Sequence, residues 1–146
     1  MNDYETHKFL KLLDKKRIKY RYDGRWLIIE RVPDIDLSGY KLESLPDYIK
    51  FNNNYWVDMS GNELKSLPDN IEFNNDDISL SNNKLTSLPD NIKFNNRGQI
   101  YLYGNPLESL PDNIDEWYNK LSIRSQEFLQ EKFPEHWFFD KERFGL

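Results

Sequence analysis

The sequence predicts an α/β protein built as a right-handed solenoid: a parallel β-sheet on the concave face, short turns on the convex face, and a cap at each end. Three observations carry this expectation. A unit of 21 or 22 residues recurs four times, beginning at Ile35, Val57, Ile78 and Ile100. Each unit opens with the period-two alternation of a half-buried strand, as in Ile78-Ser79-Leu80-Ser81. The flanks, 1–34 and 115–146, lose the repeat and take on helical and aromatic patterns, as the ends of a stack must if its apolar edges are to be covered. A unit this short cannot bury its own apolar edge, so the copies are expected to stack as one domain over 1–146, with repeats at 35–114.

The N-terminal flank comes first. Asp3 is placed to N-cap a helix running to about Lys16, whose apolar face is Phe9, Leu10, Leu12 and Leu13. Two strand-like runs follow on either side of Asp23-Gly24, a hairpin turn signal, and Leu27 and Ile29 are expected to cover the first repeat. The basic run Lys15-Lys16-Arg17-Ile18-Lys19 reads as the solvated side of the helix end rather than as a nucleic-acid patch.

In the repeats, apolar columns hold register at Leu37/Met59/Leu80/Leu102, Leu42/Leu64/Leu85/Leu107, Leu45/Leu67/Leu88/Leu110 and Ile49/Ile71/Ile92/Ile114. Phe51, Phe73 and Phe94 form a further column, expected as an inward aromatic spine. Asn62, Asn83 and Asn105 fall where the chain leaves the strand, where an amide can satisfy backbone groups that the turn leaves unpaired. Repeat one has Tyr40 in that column, so its turn is expected to be altered or more exposed. Ser-Leu-Pro-Asp recurs at 44–47, 66–69, 87–90 and 109–112, and fits a capping box with proline in the first turn. One short helical or 3₁₀ turn per repeat is the expectation there, and capping accounts for both Ser and Asp where a row of calcium ligands would not.

The C-terminal flank holds eight aromatics: Trp117, Tyr118, Phe128, Phe133, Trp137, Phe138, Phe139 and Phe144. Ser125 and the following QEFLQEKF read as a capped helix ending before Pro134, with a second short helix starting there. Sealing of repeat four is the expected role of these rings, with Trp137-Phe138-Phe139 the candidate for an additional exposed site.

These motifs resemble the leucine-rich-repeat family, whose signature is L-x-x-L-x-L-x-x-N/C-x-L, over about residues 35–114. The LPxxI variant resembles the short repeats of bacteria and their viruses. The resemblance implies a scaffold for binding other proteins and says little about which ones.

Composition narrows the chemistry. There is no cysteine, which removes disulfides, thiolate catalysis and cysteine zinc sites. The two histidines, His7 and His136, lie in opposite flanks without a second ligand at metal spacing, and no phosphate-binding loop, HExxH helix or nucleophile elbow is present. Neither an enzyme nor a cofactor is expected. No run is long and apolar enough to span a membrane, and the N-terminus lacks the apolar core of a secretory signal, so a cytoplasmic location is expected. Net charge is −5, distributed as +4 over 1–33, −7 over 34–114 and −2 over 115–146. An acidic middle repels phosphate backbones, making direct nucleic-acid binding unfavourable, and steers a basic protein toward it.

The strand face gives the candidate partner site: carboxylates at Asp34, Asp36, Asp58 and Asp77, aromatics at Trp56, Tyr101 and Tyr103, with Ser38, Ser60, Ser79, Ser81 and Gln99 also facing outward. Exposed aromatics beside carboxylates suit a partner rich in Arg or Lys. Five or six strands at about 4.8 Å spacing give a face roughly 25 Å wide. That is short of the roughly 800 Å² per partner of a standard interface, so a cap, a rim or a second copy must add area. The expected function is a non-catalytic adaptor or inhibitor that binds and occludes a larger protein, of host defence or regulation if the virus-like resemblance holds. The alternative is an acidic mimic of nucleic acid that blocks a DNA- or RNA-binding groove. Self-association stays open.

Overall fold

The computed structural model describes residues 3–30 and 32–136, without the side chain of Asp3. In chain order these form α1 (Asp3–Lys15), β1 (Tyr20–Asp23), β2 (Trp26–Glu30), β3 (Ile35–Asp36), β4 (Ile49–Asn52), β5 (Trp56–Asp58), β6 (Ile71–Phe73), β7 (Asp77–Ser79), β8 (Lys93–Phe94), β9 (Ile100–Tyr101), α2 (Ile114–Trp117), a 3₁₀ turn at Tyr118–Lys120, and α3 (Ile123–Lys132). The chain is an α/β protein whose parallel sheets wind as a β-solenoid of about three turns, with a helix at each end.

The alternation at the start of each repeat produces the first sheet. Its order is β3-β5-β7-β9, every pair parallel, with Ile35, Val57, Ile78 and Ile100 in register. Those four side chains and the column Leu37, Met59, Leu80 and Leu102 are wholly buried, so each coil's apolar face closes on its neighbours. The sheet has four strands rather than five or six, so at about 4.8 Å per strand the face is nearer 15–20 Å wide.

The other side of the coil departs from expectation. The Ser-Leu-Pro-Asp segments of the first three repeats start no helix, and only the third makes a single i→i+3 turn, from the Ile92 amide to the Pro89 carbonyl at 3.1 Å. Each leads into a second parallel strand, giving a five-stranded sheet in the order β1-β2-β4-β6-β8. Ile49, Ile71 and Ile92 with Phe51, Phe73 and Phe94 are themselves a period-two pattern of β-branched and aromatic residues, and that outweighs a four-residue capping signal. The aspartates serve the stack instead. Asp47 accepts from the Tyr48 and Asn70 amides, and Asp90 accepts from the Asp112 amide one coil on. Only after the fourth copy does a helix, α2, follow, where Asp115 and Glu116 occupy the first turn and favour the positive end of the dipole.

The phenylalanine spine forms as expected. Phe51 and Phe73 stack with centroids 5.3 Å apart, Phe73 and Phe94 at 5.4 Å, and Trp117 closes the column edge-on to Phe94 at 4.8 Å. Phe9 and Leu13 of α1 are buried in the same core, with Leu10 and Leu12 packed partly against it. β1 and β2 form the hairpin, with Gly24 at φ +60° in its turn. Leu27 and Ile29 are buried, because β2 pairs in parallel with β4 and extends the second sheet. At the other end Ser122, not Ser125, caps α3 by accepting from the Ser125 amide. Ser125 lies inside the helix and accepts from the Leu102 amide. Trp137, Phe138, Phe139 and Phe144, the helix expected after Pro134 beyond His136, and the Asp3 side-chain cap lie outside the described residues.

Candidate protein-binding face

Strand register sets the outer surface of the four-stranded sheet as a grid. One row runs Asp34, Trp56, Asp77, Gln99: Trp56 pairs with Asp77, Asp34 accepts from the Trp56 amide at 3.2 Å, and Asp77 accepts from the Gln99 amide at 2.7 Å. The next runs Asp36, Asp58, Ser79, Tyr101. The third holds Ser38, Ser60, Ser81 and Tyr103, each two residues on along its coil. The residues expected to share a face therefore do share it, with carboxylates toward the early coils and aromatics toward the late ones.

The aromatic part is more ordered than the sequence indicates. Trp56 and Tyr101 stand on strands separated by β7, about 9.6 Å apart at the backbone, yet their ring centroids approach to 5.9 Å at 57°. Both rings must lean toward each other across β7, whose outward residues there are Asp77 and Ser79. Ser79, expected to face solvent, is only 6% exposed, and it pairs directly with Tyr101 on the neighbouring strand. Ser81, expected outward too, is also buried, and its hydroxyl has no hydrogen-bond partner. Tyr101 donates to Gln99 at 2.9 Å, and Tyr103 lies under the Arg124 guanidinium of α3 at 4.3 Å. Arg124 was not legible as part of this face, because only the folded chain brings α3 beside the last strand.

The carboxylates have structural work as well. Asp36 and Asp58 each accept from the amide and the hydroxyl of the serine two residues on, at 2.6–3.0 Å. The Ser38 hydroxyl and amide hold the Asp36 carboxyl below the usual carboxylate range, against a smaller opposing effect of burial and with help from Lys16. A depressed folded pKa places this contribution to stability at neutral pH and removes it as pH falls through that lowered value. The gap in melting temperature between wild type and Asp36→Ala should therefore be flat over roughly pH 5–7 and close below about pH 3.9. A gap that widens toward acid would contradict the assignment. Among the described residues, none of Asp34, Asp36, Asp58 and Asp77 is in an ion pair with a Lys, Arg or His side chain.

Among the described residues no group of three or more His, Asp or Glu is arranged to hold a metal, and no helix is long and apolar enough to cross a membrane. Fold and face together define a class: a β-solenoid with an acidic and aromatic strand face. No protein-family model, curated protein or solved structure matches the chain.

Proposed function

We propose that this protein is a non-catalytic binding module of the right-handed leucine-rich-repeat type, a small cytoplasmic adaptor or inhibitor that docks on and occludes a larger protein with a basic surface. The observation that carries this reading is the Trp56–Tyr101 pair, two large rings in contact across β7 on an otherwise polar sheet, bordered by carboxylates that among the described residues form no ion pair. Interface hot spots are enriched in Trp and Tyr, and fixed rings cost little ordering entropy on binding. Arg124 shows how the C-terminal helix adds area to a face only four strands wide. The repeat type rests on the L-x-x-L-x-L-x-x-N motif, although a second strand in each of the first three coils stands where short turns were expected.

The test starts from a partner identified by affinity capture and mass spectrometry, followed by titration of purified proteins. Trp56→Ala should weaken binding by at least about 2 kcal/mol, the loss of an anchor residue. Trp56 is a cleaner probe than Asp58, which also holds the Ser60 amide. Wild-type affinity in the variant would move the function off this face. Affinity that survives Trp56→Ala yet collapses between low and moderate salt would favour the nucleic-acid mimic instead.

A further inference from the structure

Four surface rings of this protein lie under a cation, while others among the described residues, Tyr4, Tyr22 and Tyr55 included, do not. Trp26 lies under Lys50 at 4.4 Å, Tyr48 under Arg25 at 4.8 Å, Tyr40 under Lys16 at 4.8 Å and Tyr103 under Arg124 at 4.3 Å. Among the described residues, Trp56 and Tyr101 have each other and no cation. Arg97, in the loop before β9, is committed elsewhere, to Asp76 at 2.6 Å and the Asn54 carbonyl at 3.2 Å. Carboxylates surround Trp56: Asp34 and Asp77 flank it in its own row, and Asp58 follows it along β5. Asp58 and Asp77 each hold a backbone amide through Oδ1, and among the described residues Oδ2 of each is in no hydrogen bond.

We propose that the Trp56–Tyr101 step is the seat of an arginine side chain from an extended segment of the protein partner, its guanidinium stacked on the Trp56 indole and its N–H edge shared between Asp58 and Asp77. The inference rests on the binding role proposed for this face and specifies the chemistry it recognises. A guanidinium suits the site better than an ammonium for a geometric reason. It is flat, so it covers a ring while its forked donors reach carboxylates to either side; a lysine ammonium is a compact, strongly hydrated charge without that plane. Cation–π attraction is favoured where carboxylates already lower the local potential. Both carboxylates are fixed in advance by the backbone amides they accept from, so little ordering remains to be done on binding.

The experiment uses the whole chain and three alanine-based hexapeptides that differ at one central position, arginine, lysine or norleucine. Binding is followed through the Trp56 indole N–H resonance, assigned with Trp56→Phe. The arginine peptide should shift that resonance and half-saturate at a concentration at least about fivefold below the lysine peptide, with norleucine weaker still. Trp56→Ala should abolish the response in the neighbouring amides. The double variant Asp58→Asn, Asp77→Asn keeps an acceptor for each amide and should level arginine and lysine. Equal binding of arginine and lysine to the wild type, a norleucine response as strong as either, or an unchanged response in Trp56→Ala overturns the proposal. If Trp56→Ala impairs the intact partner while no peptide perturbs Trp56, the face is an interface and the arginine assignment alone falls. If neither partner nor peptide depends on Trp56, both readings fall.

Discussion

Phe73→Ala is expected to destabilise the protein by about 3–5 kcal/mol, among the largest effects of any single truncation in the coils. Phe73 is wholly buried, and rings stack on both of its faces, Phe51 on one side and Phe94 on the other. Its removal therefore opens a cavity and ends two aromatic contacts together, and neighbours held by two sheets have little freedom to collapse into the gap. In a stack where each coil touches only its neighbours, a fault in the middle also weakens coupling between the early and late coils. Denaturant unfolding at equilibrium measures the loss, with Ser79→Ala as the internal control. Ser79 is buried too, but on the outer face of the sheet and outside the apolar core, so that change should cost under about 0.5 kcal/mol. A loss at Phe73 as small as the loss at Ser79 would mean that the spine does not hold the coils together.

The spine was legible in the sequence, and the sheet that carries it was not, for one physical reason. A column of identical residues at a fixed step reports only that they occupy equivalent places. The local conformation has to come from what lies between them. At Ile78-Ser79-Leu80-Ser81 the alternation is long enough to specify a strand, and a strand forms over Asp77–Ser79. At Ile71-Glu72-Phe73 the alternation spans three residues beside a capping motif with an explanation of its own, and pairing with copies above and below decides the matter. The outward set was legible for the same reason as the first strand: period two fixes which side each residue takes. Its burial was not, because Ser79 stands between neighbouring strands whose large rings approach each other across β7, an arrangement no local pattern encodes. The asparagines divide in the same way. Asn62, Asn83 and Asn105 were expected to satisfy turns and do so across coils. A second buried column, Asn53, Asn75 and Asn96, stands in the repeated Phe-Asn-Asn and carried no independent signal, since its neighbours Asn52, Asn74 and Asn95 form a partly exposed amide chain beside it.

Those two buried columns should respond differently to the same truncation. Asn83→Ala is expected to cost about 2–4 kcal/mol and Asn75→Ala about 1–2 kcal/mol, although both side chains are buried and each amide donates to at least two carbonyls. The difference lies in the oxygen. Asn83 Oδ1 accepts from the Leu64 amide at 3.1 Å, so its loss strands a buried N–H inside the coil. The carbonyls it leaves are better placed, because Met59 also accepts from Asn62 and Leu80 also accepts from Asn105. Among the described residues Asn75 Oδ1 accepts from no donor, and Asn53 and Asn96 repeat that pattern. Truncating Asn75 removes two donations but strands no N–H, and it deletes a desolvated carbonyl oxygen that costs free energy where it stands. Unfolding midpoints of the two variants, with slopes checked for constancy, rank the two effects. If Asn75→Ala proves as costly as Asn83→Ala, its oxygen must be bonded in solution. The inner column would then be a second full ladder rather than a set of donors holding the strand entries.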